Sequence, residues 1–311
     1  MEKIISVVVS VYNEEQALHQ FYQEIVPILT SLPWDYELLF VDDGSQDLSL
    51  TILNQFAADN SKVKVIHFSR NFGHEAAMIA GIDYASGSGV ICMDADLQHP
   101  PKCIPEIVGK LEEGYHIINM IRTSNRSAGW FKNFASGAFY SLINVISDVS
   151  FEKNASDFFA VSDRVAGILK SNYREKVRFL RGYVQNIGFP KTTLKYEAAS
   201  RVAGSSKYSI RKLFHFSVNT IMCFSNLPLK LGIYAGVFAA SLGLIIMIYT
   251  IVTWIQGVTP SGYPTTIVLI CFMFAILFLI VGIIGEYISI LFAELKDRPI
   301  YIVEDTKNLD E

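Results

Sequence analysis

Val90-Ile91-Cys92-Met93-Asp94-Ala95-Asp96-Leu97-Gln98-His99-Pro100 is the stretch from which the fold can be read. An apolar run ends in two carboxylates at i and i+2, an amide follows two residues on, and Pro100-Pro101 stops any regular structure before it. The run reads as a buried strand that ends at a site. Alternate side chains of an extended chain share a face, so Asp94, Asp96 and Gln98 can point one way and present hard oxygen ligands together. Such a set suits Mg²⁺ or Mn²⁺ carried in with a phosphorylated substrate. The plainer reading is that Asp and Pro end a strand and face water, the usual fate of an isolated Asp-x-Asp.

Three earlier runs repeat the pattern. Ile4 to Val11 is β-branched and almost continuously apolar, which suits a sheet covered on both faces, and it ends at Tyr12-Asn13-Glu14-Glu15. Ala17, Leu18, Phe21, Ile25 and Ile28 then recur at helical spacing. Tyr36 to Val41 ends at Asp42-Asp43-Gly44-Ser45 and precedes a helix from Leu48 to Asp59; Val63 to Phe68 ends at Ser69 to His74 and precedes a helix from Glu75 to Ser86. Strands alternating with helices predict an α/β fold with a mostly parallel sheet and right-handed crossovers, and Ile117 to Arg122 adds a further strand. Ligands bind such sheets beyond the carboxyl ends of the strands, where this chain places Asn13, Glu14, Asp42, Asp43, Arg70, Asp94 and Asp96. Asp42 and Asp43 read either as turn formers with Gly44 or as acceptors for a base or ribose. Neither a G-x-G-x-x-G nor a G-x-x-x-x-G-K-[ST] phosphate cradle is present.

The C-terminal third differs in composition. From Leu231 to Gly285 there is no Asp, Glu, Lys or Arg, and Gln256 to Pro264 divides the stretch into apolar runs at 231–255 and 265–292. Each exceeds the about 20 residues a helix needs to cross a bilayer. Buried helices of a soluble core would show a polar stripe, and neither run has one. Lys207, Arg211, Lys212 and Lys230 precede the first span, Lys296 and Arg298 follow the second, and the connecting turn is uncharged, so both ends are expected in the cytoplasm. No signal peptide is expected at Met1. A net charge of −4 gives no hint of nucleic-acid binding, and cysteines 92, 103, 223 and 271 lack metal-ligand spacing. Ser209 to Asn226 carries an apolar face beside Arg211, Lys212 and His215, as a helix lying in the membrane interface would. The expected organisation is a catalytic domain over 1–208, an interfacial helix over 209–228, a two-helix hairpin over 229–293 and a cytoplasmic tail over 294–311.

Ser10-Val-Tyr-Asn-Glu-Glu15, Val41-Asp-Asp-Gly-Ser45, Arg70-Asn-Phe-Gly-His74 and Asp94-Ala-Asp-Leu-Gln-His-Pro-Pro101 together resemble the family 2 glycosyltransferases of the A-type nucleotide-sugar fold. With Arg201-Val-Ala-Gly-Ser-Ser-Lys-Tyr208 and the two C-terminal spans, the chain resembles the polyisoprenyl-phosphate glycosyltransferases, which include dolichol-phosphate mannose synthase, and most of all the bactoprenol glucosyltransferase branch. The resemblance implies an inverting, metal-dependent transfer of glucose from UDP-glucose to undecaprenyl phosphate at the inner membrane. It implies a nucleotide-sugar site at Tyr12, Asn13, Glu14, Asp42, Asp43, Arg70, Gly73, Asp94, Arg201 and Lys207, with Asp94, Asp96 and Gln98 on Mg²⁺ or Mn²⁺. Asp157 becomes the acid nearest the reacting centre, and Arg122, Lys132 and Ser136 the lipid-phosphate site, although Lys132 stands where Arg is expected. Arg178 and Arg181 follow Asp157 without an assigned role. Self-association through the spans, as a homotetramer, is implied too. GDP-mannose or a UDP-aminosugar as donor, and a non-catalytic nucleotide-sugar-binding scaffold, remain open; a processive polymer synthase is disfavoured by two spans and no Gln-x-x-Arg-Trp.

Overall fold

Alternation between two buried faces builds the sheet. In the computed structural model, which describes residues 3–123, 155–176, 178–197, 227–257 and 262–309, β1 (Ile4–Val11) turns Ile5, Val7 and Val9 to one side and Val8 to the other, all fully buried. β2 (Asp35–Asp42) does the same with Leu38 and Phe40 against Leu39 and Val41. A period of two with both faces apolar gives the near-continuous hydrophobic runs seen in the sequence. Between these strands lie α1 (Glu15–Thr30), α2 (Ser49–Asp59), β3 (Val63–Phe68), α3 (His74–Tyr84), β4 (Gly89–Asp94), α4 (Ile104–Glu112) and β5 (Ile117–Arg122). Each falls within two residues of its expected position, where an expectation was made. One face is covered by Leu18, Phe21, Leu53, Phe56 and Ile107 of α1, α2 and α4, and the other by α3 with α5 (Asp163–Asn172) and α6 (Leu180–Asn186).

The sheet has eight strands in the order β7-β5-β6-β4-β1-β2-β3-β8, with β6 (Ala155–Ser162), β7 (Lys191–Tyr196) and β8 (Val303–Lys307). β1 to β4 are parallel and β5 is parallel to β7, while β6 runs antiparallel between β4 and β5 and β8 antiparallel beside β3. β6 has no counterpart in the sequence reading, where Asp157 stood only as the acid nearest the reacting centre. Phe158 and Phe159 enter opposite cores, so the run is apolar on both sides and carries no visible alternation.

Small residues bring α3 close to the sheet. Ala76, Ala77, Ala80 and Gly81 face it, and a Cβ on Gly81 would collide with Val8 Cγ1. The first turn of α3 therefore lies near the carboxyl ends of β1 and β4.

α7 (Leu227–Ile255) and α8 (Tyr263–Leu295) form the hairpin, with Gly232 against Ile280. Pro228–Ile255 and Val268–Leu295, 28 residues each, are long and apolar enough to cross a membrane, and their large side chains, Phe238, Trp254, Phe278 and Leu291 among them, face outward. Of residues 294–311, expected as a tail, those up to 309 are described and return to the catalytic domain. Lys296 and Asp297 follow α8, with Asp297 at φ +44, Ile300 is buried, Tyr301 stacks on Phe68 at 5.2 Å, and β8 pairs with β3. Asn308 donates from Nδ2 to the carbonyls of Ala57 and Val63 at 2.7 and 2.8 Å. The expected interfacial helix up to residue 226, and Lys132, Ser136, Arg201 and Lys207, lie outside the described residues.

Gly44, at φ +68, lets the β2–α2 loop lie on the loop after β3; a Cβ there would stand 2.5 Å from the Arg70 carbonyl carbon. Gly44→Ala is expected to cost about 2 kcal/mol from the left-handed backbone and the collision combined, read as a lower unfolding temperature of the detergent-solubilised protein.

Candidate active site

Because β1 and β4 are parallel neighbours in register, Ser10 sits beside Asp94 at their carboxyl ends. Ser10 Oγ donates to Asp94 Oδ1 at 3.1 Å and lies 2.9 Å from His74 Nδ1. The imidazole spans two acids: Nδ1 is 3.6 Å from Asp94 Oδ1, and Nε2 is 3.9 Å from Asp157 Oδ2. Arg181 Nε is 2.9 Å from Asp157 Oδ1. Asp94, His74, Asp157 and Arg181 thus form one alternating line of charge drawn from β4, α3, β6 and α6. Burial opposes protonation of His74, but Asp94, Asp157 and Glu75 outweigh it and hold the imidazole above its ordinary value. Burial, helped by Asp157 and opposed by Arg181 and His74, pushes the Glu75 carboxyl up to about 7.

The Asp94–His99 turn is tightly held. Asp96 Oδ1 accepts the Gln98 N–H at 3.0 Å, Leu97 takes φ +63, and the Asp94 N–H donates to His99 Nδ1 at 3.0 Å. His99 stacks on Phe158 with ring centroids 5.2 Å apart, anchoring the turn to β6. Gln98 Oε1 accepts from Arg122 Nη2 at 2.9 Å, so the third metal candidate is tied to the first lipid-phosphate candidate.

Two carboxylates of hard oxygen, Asp94 a third exposed at the strand end and Asp96 mostly buried, fit Mg²⁺ or Mn²⁺ of the kind that takes its remaining ligands from substrate and water. Among the described residues no group of three or more His, Cys, Asp or Glu side chains is set to enclose a metal.

The adjacent acids of β2 and its loop do different things. Asp42 is fully buried; Oδ2 accepts the Ser45 N–H at 3.3 Å and lies 2.6 Å from His67 Nδ1, while Oδ1 has no hydrogen-bond partner. The Asp43 carboxylate accepts the Phe72 N–H at 2.6 Å and the Gly73 N–H at 2.9 Å, clamping the loop that leads into α3; burial outweighs these bonds and raises its pKa. Gly73, at φ +99, begins that turn. Asn13, at φ +54, accepts the Gln46 N–H on Oδ1 at 2.8 Å, and the Glu14 N–H donates to Ser49 Oγ at 2.9 Å, so both tie the β1 end to the β2 loop. Tyr12 is half-buried beside them, and Arg70 is exposed with its guanidinium 4.0 Å over the Phe72 ring. A cleft of about 340 Å³ beside this loop is lined by Arg70, Gly73, Lys176, Arg178, Pro299 and Ile300.

Ser10, His74, Glu75, His99 and Arg181 join the site without having been assigned to it. Ser10, His74 and His99 stand in motifs quoted above and Arg181 was named beside Arg178, so their signal was present. Glu75 gave none, being one more acid in the first turn of a helix.

The family model for glycosyl transferase family 2 matches residues 6–168, and that for the GtrB C-terminal hairpin matches residues 227–291. The chain belongs to glycosyl transferase family 2. This glycosyltransferase is 39% identical over 308 residues to a Bacillus subtilis protein, uncharacterized glycosyltransferase YkcC, covering 98% of this chain and 94% of that one. It is 35% identical over 304 residues to the bactoprenol glucosyl transferase of Shigella phage SfV, covering 97% and 99%. A crystal structure described as a mycobacterial protein shares the fold at a TM-score of 0.50 and 17% identity, covering 71% of this chain and 73% of that one.

Glu75 gives the glycosyltransferase a pH signature. Its folded value near 7 lies above the ordinary 4.5, so the unfolded chain releases this proton first and stability falls as pH rises between them. The loss across that window is about 3 kcal/mol. Glu75→Gln is expected to flatten the fall, so that unfolding temperatures taken from pH 5 to 7.5 drop less in the variant than in the wild type.

Proposed function

We propose that this glycosyltransferase moves glucose from UDP-glucose to undecaprenyl phosphate at the cytoplasmic face of the membrane. Transfer inverts the anomeric carbon and uses Mg²⁺ or Mn²⁺ on Asp94 and Asp96. The observation that carries the reading is the 35% identity, over nearly the whole of both chains, to a relative named bactoprenol glucosyl transferase.

The site's own groups suit that chemistry. Asp42 Oδ1, a buried acceptor with no partner, offers itself to an N–H or O–H of the donor's base or ribose. Asp43 and Gly44 hold the loops on either side of it in place. Asp94 and Asp96 would hold a divalent ion, which would supply Lewis acidity to the departing diphosphate. Asp157, aligned by Arg181 and His74, offsets the positive charge that grows at the anomeric carbon. Arg122, Lys132 and Ser136 hold the lipid phosphate, and Arg201 and Lys207 close over the pyrophosphate. The lipid phosphate is already an anion, so its oxygen needs no essential base. That oxygen forms a bond to C1 as the bond from C1 to the diphosphate breaks. UDP leaves, and an α-linked donor yields a β-linked product.

Support for the orientation comes from β8. The chain leaves the catalytic domain for the hairpin and returns to the same sheet, which suits both ends of the hairpin lying on one side. Lys230, Lys296 and Arg298 favour the cytoplasm for that side.

Asp94→Ala and Asp96→Ala are each expected to lower transfer of labelled glucose to undecaprenyl phosphate by about a thousandfold, with wild-type turnover abolished by chelation. Full activity after chelation, a preference for a water-soluble alcohol, or faster turnover with GDP-mannose or a UDP-aminosugar would overturn the corresponding part of the proposal. Lys132→Ala should raise the lipid requirement more than the donor requirement, as initial rates at varied lipid and donor would read. A cysteine in place of Ser261, in the turn between the spans, is expected to react with an impermeant maleimide added outside intact cells.

A further inference from the structure

Between α5 and α6 the chain has no ladder to occupy its backbone groups, and such a segment must find acceptors elsewhere. The segment matters because Arg181, just beyond it, meets Asp157, and Arg178 within it lines the cleft beside the β3–α3 loop. At its start Arg174 Nη1 reaches both Asp83 oxygens at 2.8 Å, where Tyr301 OH also donates at 2.7 Å. At its end the Leu180 N–H faces Glu75 Oε2 at 3.4 Å. In the middle the Lys176 N–H donates to Glu294 Oε1 at 2.6 Å, and Lys176 Nζ donates to the Arg298 carbonyl. Glu294 belongs to the last turn of α8, at the end of the second apolar span.

We propose that Glu294 is a positioning residue: by accepting the Lys176 amide it holds the segment that carries Arg178 and Arg181, and so sets Arg181 against Asp157 from the end of the membrane hairpin. A carboxylate at the end of a mostly apolar helix is costly unless it is paired, and the bond to the Lys176 amide gives it a partner. The role needs an acceptor oxygen at that point rather than a charge. Glutamine keeps the oxygen; methionine keeps the length and the apolar stem without it.

The kinetic part of the test rests on the glucose-transfer reading; the exchange part needs no substrate. With the full-length protein in lipid nanodiscs, Glu294→Met is expected to speed hydrogen exchange of the peptide spanning 174–182 by about tenfold, the worth of one good hydrogen bond. Transfer kcat should fall by about tenfold or more through the displaced Arg181, with donor KM changing less than about threefold. Glu294→Gln should keep both near wild type, and the unfolding temperatures of the two variants should agree. Wild-type exchange in Glu294→Met, or equal damage in Glu294→Gln, would overturn the proposal, as would a change in KM alone. If wild-type protein fails to glucosylate undecaprenyl phosphate, the substrate reading falls and exchange alone decides the role of Glu294. Should Glu294→Met not accumulate, Glu294→Ala takes its place with the same outcomes.

Discussion

Acids crowded at one edge of a sheet repel each other, and the site depends on what offsets that repulsion. Asp94, Asp157 and Glu75 come from β4, β6 and α3, and the field of Asp157 helps to raise the Glu75 carboxyl to about 7. His74 stands between Asp94 and Asp157, and Arg181 closes on Asp157 from the far side. His74 can do this only because α3 lies so near the sheet, which Ala76, Ala77, Ala80 and Gly81 permit. Packing of small residues in the second core is thus a condition for the electrostatics at the edge. A larger residue at 81 would lift the helix and carry His74 and Glu75 away from the acids together.

Much of this frame was legible in the residues. The β-branched runs ending in polar clusters located β1 to β5, because a parallel sheet covered on both faces leaves that signature with little ambiguity. Asp94 at the carboxyl end of a strand followed from topology; Asp157, which only the resemblance offered, stands across His74 from it. What stayed hidden depends on pairing between distant segments. β6 could not be recognised because its apolar run, Phe158 to Val161, is short and follows polar Ser156 and Asp157, and its place between β4 and β5 is set by partners far apart in the chain. Asp42 and Asp43 are indistinguishable as letters. Only the backbone separates a fully buried carboxylate at the end of β2 from one clamping the next loop by its amides. Glu75 was invisible for a related reason: an acid in the first turn of a helix is ordinary until the helix is found buried beside another acid.

The strand formed by 303–307 changes what the hairpin can do. A helical pair joined to a soluble domain at one end only would act as a tether, leaving the domain to swing over the bilayer. Here α8 ends at Leu295, and within eight residues the chain has turned at Asp297, buried Ile300 and entered the sheet edge as β8. So short a connection, held by Tyr301 against Phe68 and Asp83, gives little room for rotation between the helix end and the sheet. An antiparallel edge strand also covers the open side of β3, which would otherwise present an unpaired backbone to other chains.

Height over the bilayer then follows from covalent geometry. A reaction between a soluble nucleotide sugar and a lipid phosphate needs its catalytic edge near the headgroups, and a loosely hung domain would lose orientation each time it swung away. Glu294 and the start of β8 at Val303 lie nine residues apart, at most about 32 Å of extended chain at roughly 3.3 to 3.6 Å per residue. One meets the segment leading to Arg181 and the other the strand that supports the β3–α3 loop and His74. Two sides of the charge line are thereby referred to a single helix end.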